Sequence, residues 1–275
     1  MSKIFVKKTE RYYSIADWEA SNNLLVAGFT TKNGGCSEMP YSSLNMGYHV
    51  GDDEQCVTKN RQLLAQDIEM PLTTWVGAEQ THRSNIIKIT GADKGRGAAD
   101  YTSAFRDTDG FYTNEKNILL TLCYADCVPI YFYAPASGYI GMVHAGWKGT
   151  VAKIAAEMVT KWQAEGISPE EIKVVIGPSI CGGCYIVDDR IIDQVKQVCA
   201  HSRPYREVSE GQYELDLKKL NKSILQEAGV KDINISSFCT SCAKEDFFSH
   251  RRDQGKTGRL MSFIGWKEAF VQSES

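Results

Sequence analysis

The stretch Ile118–Ala145, I-L-L-T-L-C-Y-A-D-C-V-P-I-Y-F-Y-A-P-A-S-G-Y-I-G-M-V-H-A, decides the fold. Three apolar runs, Ile118–Cys123, Val128–Ala134 and Tyr139–Ala145, are separated by brief breaks, as buried strands would be. Such breaks are too short for the helical crossovers that parallel strands need, so Val128–Ala134 and Tyr139–Ala145 read as a hairpin. After Gly146 the apolar period lengthens. Val151, Ile154, Ala155, Met158, Val159 and Trp162 fall three and four residues apart and place one stripe on a helix, which Gly166 and Pro169 close.

Working outward, Leu24–Thr31, Thr73–Gln80, Asn85–Thr90, Lys173–Gly177 and Leu260–Trp266 read as further strands. Asp53–Asp67, Asp189–Ala200 and Leu215–Gly229 read as helices, while Ser42–Asp53 and Gly91–Asp100 read as loops. Closely spaced strands intermixed with helices predict an α+β fold, a single domain over residues 1–275 with mixed β-sheets flanked by helices.

Composition narrows the function. The chain has 275 residues, 43% hydrophobic and 24% charged, enough for an unstapled core. With 31 basic against 34 acidic residues, well mixed, nothing marks a nucleic-acid binder. The start, M-S-K-I-F-V-K-K-T-E, lacks the apolar region of an export signal, and the longest apolar runs are strand-sized. A cytoplasmic protein is expected, with no membrane contact and no obligate protein partner. Nine cysteines without an export signal point to reduced thiols or metal ligands rather than disulfides.

Only five histidines are present, so their placement is informative. His82 in E-Q-T-H-R follows one strand, and His144 in H-A-G-W-K-G-T ends another just before the strong helix; Cys127 lies in D-C-V-P between two core strands. Two imidazoles and a thiolate suit zinc, and three protein ligands leave a fourth position open for water or substrate. Read from spacing alone, the same residues serve equally as strand-end caps and a small buried hydrophobe, and the lack of a short regular motif favours that plainer reading.

Two C-x-x-C units, Cys181-Gly-Gly-Cys184 and Cys239-Thr-Ser-Cys242, can form a four-cysteine structural zinc site. Their separation exceeds that of a zinc ribbon, and neither opens a helix after a strand as a redox pair does, so spacing favours ordinary thiols. Gln254–Gly258 resembles the end of a phosphate loop, but the required first glycine is His250. Arg61 and the basic stretch Ser249–Asp253 can contact phosphate or simply be solvated.

Taken in order, S-L-N-M-G (Ser43–Gly47), V-G-D (Val50–Asp52), N-R (Asn60–Arg61), E-Q-T-H (Glu79–His82), A-D-C-V-P-I (Ala125–Ile130), H-A-G-W-K-G-T (His144–Thr150), G-P-S-I (Gly177–Ile180) and F-F-S-H-R-R-D (Phe247–Asp253) span most of the chain. Together they resemble the laccase-domain family, first described as multicopper polyphenol oxidases and later as purine nucleoside phosphorylases with adenosine deaminase activity. The resemblance implies His82, Cys127 and His144 as ligands of Zn2+, with copper an alternative. It implies phosphorolysis of adenosine, inosine, guanosine and methylthioadenosine, and deamination of adenosine. The partners are then a small-molecule nucleoside and phosphate. Cys127 and Asp126 are the candidate catalytic residues, Asp126 as a proton donor or as a carboxylate orienting an imidazole. Arg61, Ser37 with the neighbouring Gly35–Cys36 amides, Asn45, Gln80 and Lys148 are the candidate substrate contacts. Tyr124 stands where members often carry a small residue and is expected to narrow or line the site.

Three rivals remain open. A multicopper oxidase needs many histidines, although a single copper on two histidines and a cysteine is possible. A cysteine hydrolase acting on peptidoglycan precursors would use Cys127 as nucleophile and His144 as base. A non-enzymatic binding protein would carry a vestigial cleft.

Overall fold

A computed structural model describes residues 4–199 and 202–268. The first six-stranded sheet runs β1 (Phe5–Lys7), β2 (Tyr12–Ile15), β3 (Leu25–Thr30), β15 (Leu260–Trp266), β7 (Ile118–Tyr124), β4 (Trp75–Val76). The second runs β14 (Asp232–Ile235), β10 (Lys173–Ile176), β8 (Val128–Ala134), β9 (Tyr139–Ala145), β6 (Gly110–Thr113), β5 (Ile86–Lys88). A small third sheet joins β11 (Ile186–Asp188), β13 (Gln212–Leu215) and β12 (Tyr205–Ser209). Both large sheets mix parallel and antiparallel pairs, and six α-helices accompany them among the described residues, so the fold is α+β.

The central runs are continuously apolar because β8 and β9 are buried on both faces. Along β8, Val128, Ile130 and Phe132 join the core beneath α4 (Ile154–Ala164), while Tyr131 and Tyr133 join the core shared with the first sheet. The far face of the first sheet packs Val26, Leu119 and Phe263 against Leu64 and Ile68 of α2 (Glu54–Ile68). The hairpin pairs Val128 with Ala145 and Pro129 with His144, which sets Cys127 beside the end of β9.

The helix expected after Gly146 is broken in two. α3 (Trp147–Val151) stops at Ala152, and Lys153 takes a left-handed conformation (φ 57°) before α4 begins. The Thr150 hydroxyl donates to the Ala145 carbonyl and accepts from Asn221, tying α3 to the strand end, while α4 turns to cover the sheet. Thr73–Gln80 shrinks to β4 because Gly77 and Ala78 turn to pair with the loop at Arg96 and Phe105. The remaining helices are α1 (Ala16–Ser21), α5 (Asp189–Val198) and α6 (Leu217–Glu227). Ala200, the expected end of α5, lies outside the described residues. No helix among the described residues is long and apolar enough to cross a membrane.

Candidate metal centre

The ligand atoms of His82, Cys127 and His144 lie within 4.8 Å of one another. The residue that assembles them is Asp109, fully buried at the head of β6. Its Oδ1 accepts from His144 Nδ1 at 2.8 Å, and its carbonyl accepts from the His144 backbone at 2.7 Å. The same carboxylate accepts the backbone N–H groups of Thr81 (3.2 Å), His82 (3.1 Å) and Arg83 (2.8 Å). His82 has φ 61°, a left-handed conformation unfavourable for a residue with a side chain, and this cradle of amides on one carboxylate holds it there. One buried acid therefore fixes a ring on β9 and a loop 62 residues earlier.

Burial alone would push the Asp109 carboxyl up. The hydrogen bond and charge of His144, with the Arg83 and His82 amides, outweigh it and hold the group below the usual carboxylate range. Burial would likewise raise the Cys127 thiol, but the His144 charge and hydrogen bonds from both histidines bring it down to about 6. For His144, burial is outweighed by Cys127 and Asp109, and its pKa rises to about 9. Both shifts run in the direction of a thiolate–imidazolium pair in the metal-free centre.

The donor set fits zinc. His144 Nδ1 is committed to Asp109, which leaves Nε2 as the ligating nitrogen. Gly146 keeps the centre open: a Cβ there would sit 3.1 Å from both Cys127 Sγ and His82 Cδ2. Three donors lining one cavity leave a coordination position for water or substrate.

The cavity, about 240 Å³, is lined by His49, Gln80, His82, Cys123, Ala125, Cys127, His144, His250 and Arg259. Of the expected substrate contacts, Gln80 is here. Its amide is doubly bonded to Cys123, donating to the carbonyl and accepting from the N–H, so it forms a fixed wall.

The others are drawn into structure. The Arg61 guanidinium is buried and donates to the carbonyls of Met46, Gly97 and Ala98 over the Tyr48 ring. Ser37 accepts from Asn60, and the amides of Gly35, Cys36 and Ser37 donate to Ser43, Asn60 and Ser43 respectively, so none is free for phosphate. Asn45 is fully buried, accepting from the Gly47 and Arg259 backbones. Lys148 is exposed on α3 beside Trp147 and does not line the cavity. Asp126, expected as a catalytic acid, accepts from Thr240 (2.6 Å), Ser249 (2.9 Å) and the Arg251 amide (2.7 Å), so its carboxylate holds the loop bearing Cys127. Tyr124 does not line the cavity either: its buried ring packs edge-on against His144, 5.3 Å between centroids.

The sequence singles out neither Arg259, His49 nor Asp109 as a site residue, and it offers His250 only within a basic stretch, a family motif and a rejected phosphate loop. Arg259 is positioned by the S-L-N-M-G motif. Its N–H donates to Asn45, its carbonyl accepts from Met46, and its stem occupies the space a Cβ on Gly47 would fill, 2.7 Å away. Its Nη1 donates to the Thr257 and Gly258 carbonyls; Nε and Nη2 have no protein partner among the described residues. Arg251 and Arg252 are bonded instead to backbone carbonyls, including those of Ile186 and Thr240.

The family model described as multi-copper polyphenol oxidoreductase laccase matches residues 26–267. Two proteins named purine nucleoside phosphorylase YlmD are close in sequence. The one from Bacillus subtilis is 50% identical over 262 residues, covering 93% of this chain and 94% of its own. The one from Geobacillus stearothermophilus is 51% identical over 251 residues, covering 90% and 92%. A crystal structure of a Bacillus licheniformis protein, YfiH, matches with a TM-score of 0.94 and 47% identity, covering 97% of this chain and 100% of that one. With the motifs, the fold and these matches in agreement, the chain belongs to the multi-copper polyphenol oxidoreductase laccase family.

Proposed function

We propose that this chain is a zinc-dependent purine nucleoside phosphorylase, acting on adenosine, inosine, guanosine and methylthioadenosine, with adenosine deamination as a second activity of the same centre. The observation that carries the reading is the convergence of His82, Cys127 and His144 on one cavity, held by one buried carboxylate. The names of relatives identical at half their positions support the substrate class.

Zinc held by His82, Cys127 and His144 would supply Lewis acidity at the cavity. The chain's own residues bind and orient. In phosphorolysis a phosphate oxygen bonds to C1′ of the ribose while the bond from C1′ to the purine breaks, its electron pair leaving with the base. Arg259, with donors free at the cavity wall, holds the phosphate by charge-assisted hydrogen bonds. His250, exposed at the same cavity, is a second contact for anion or base. Gln80 shapes the wall, and Asp109 keeps His144 Nε2 turned to the centre. Asp126, Arg61, Ser37 and Asn45 act one step behind, holding the loops that carry Cys127 and Arg259.

A second reading has a specific observation behind it. Cys127, lowered to about 6, beside His144, itself bonded to Asp109, is the nucleophile–base–carboxylate order of a cysteine hydrolase, which would open an amide of a peptidoglycan precursor.

One experiment separates them. Metal-quantified protein is incubated with adenosine or inosine, with and without phosphate, and the products are resolved. Free base with ribose phosphate, abolished by chelation and restored by zinc, is the expected result; inosine from adenosine without phosphate reports deamination. No product from any nucleoside overturns the proposal. Amide cleavage that survives chelation and is lost on alkylating Cys127 would favour the hydrolase, and a visible copper–thiolate absorption would replace zinc by copper.

A further inference from the structure

We infer that Cys181, Cys184, Cys239 and Cys242 form a second, closed metal site that takes a structural zinc ion, independent of the proposed reaction centre. The two C-x-x-C units are distant in sequence, with Cys184 and Cys242 58 residues apart, yet their four sulfurs lie within 4.8 Å of one another. Zinc–thiolate bonds of about 2.3 Å in a tetrahedron set sulfurs about 3.8 Å apart, so small side-chain rotations close this cage on an ion. Cys184 Sγ is already 3.4 Å from Cys242 Sγ.

The backbone is shaped for ligation as well. Cys239 Sγ accepts the N–H of Cys181 (3.3 Å) and of Cys242 (3.4 Å), hydrogen bonds that stabilise a thiolate. Each unit is a tight turn: the Cys184 N–H bonds the Cys181 carbonyl at 3.1 Å, and the Ala243 N–H bonds the Cys239 carbonyl at 2.9 Å. A β-bridge between Ser179 and Cys239 clamps the turns together. Four thiolates on a divalent ion carry excess negative charge, and the buried Lys218 ammonium stands close by, donating to the Ser236 and Phe238 carbonyls just ahead of Cys239. All four positions are filled by protein and none faces the reaction cavity, the plan of a structural rather than a catalytic ion.

Both turns are fastened to Asp126: Ile180 donates to its carbonyl and Thr240 to its carboxylate. An ion here would brace the segment that carries Cys127. On binding, the thiols release their protons and no redox step is involved.

The test is zinc stoichiometry by elemental analysis and native mass spectrometry of reduced, purified full chain. The expected contents are two equivalents in the wild type, one in His82→Ala and one in Cys184→Ser with Cys242→Ser. Should the serine variant fail to fold, His82→Ala alone decides. Reconstituted with Co2+, it should show the intense sulfur-to-metal charge transfer of a four-thiolate centre. A His82→Ala protein holding no zinc, one holding iron instead, or an unreduced mass lighter by two hydrogens for each of two disulfides would overturn the site.

Discussion

The two sulfur-bearing centres meet at Asp126 and are built on different plans. At the first, three donors of mixed type line an open cavity, and a carboxylate behind them orients rather than ligates. At the second, four like donors face one another across two turns at the surface, with backbone amides behind them. The difference separates chemistry from support. An open position beside an oriented imidazole suits turnover, whereas a closed sulfur cage can only hold chain segments in place.

The largest effect that could break this contrast is loss of a donor at the open centre. Alanine at His82, Cys127 or His144 should lower kcat/KM for inosine phosphorolysis about 1,000-fold or more, since several kcal/mol of transition-state stabilisation go with the metal. Cys184→Ser with Cys242→Ser should act chiefly on Tm. Equal kinetic losses at both centres would erase the distinction.

Asp109→Asn should come next. An amide offers one acceptor oxygen where the carboxylate offers two, and its NH2 would face donors, so zinc affinity at the His82 centre should fall about 10- to 100-fold. Chelator competition measures this, and the ion of the cysteine cluster should stay bound. Unchanged affinity would remove Asp109 as the residue that assembles the site.

Arg259→Ala should raise the KM for phosphate about tenfold or more, the loss of a hydrogen bond to a charged group, with zinc content unchanged. A rise confined to the nucleoside KM would move Arg259 from phosphate to base.

The pH dependence of zinc uptake is the finest probe. Ligation needs both groups deprotonated, and the metal-free Cys127 lies at about 6 while His144 lies at about 9. Between these values Cys127 is already a thiolate and His144 still carries its extra proton. Binding must displace it, and affinity should weaken about tenfold for each pH unit lowered. Above the His144 value this contribution disappears; below the Cys127 value a second proton competes. A flat response across neutral pH would contradict the ion pair.

Much of the architecture is legible in the sequence, for a physical reason. β8 and β9 are buried on both faces, so their apolar runs are unbroken, and α4 shows its stripe because one face alone is covered. What escaped lacks such contrast. β12 is largely exposed, and β1 and β2 are short. The break at Lys153 carries no glycine or proline to announce it. In the site, His82 and His144 stand out as rare residues; His144 lies at the end of β9, whereas His82 lies in the loop past β4 rather than at the strand end its sequence suggests. Asp109 sits in D-T-D-G, which reads as a turn, and only the fold reveals that it is buried beneath both histidines. Asn45 and Arg61 lie in motifs of the family resemblance, yet they support loops rather than line the cavity, because sequence identifies a constrained residue without saying which side of a loop it serves.

The most direct test is to strip the protein of metal, return zinc in sub-stoichiometric steps, and follow inosine phosphorolysis alongside occupancy of the His82–Cys127–His144 centre. Activity should rise in proportion to zinc at that centre and stay absent from Cys127→Ala at every step. Full turnover by the metal-free chain would contradict the account.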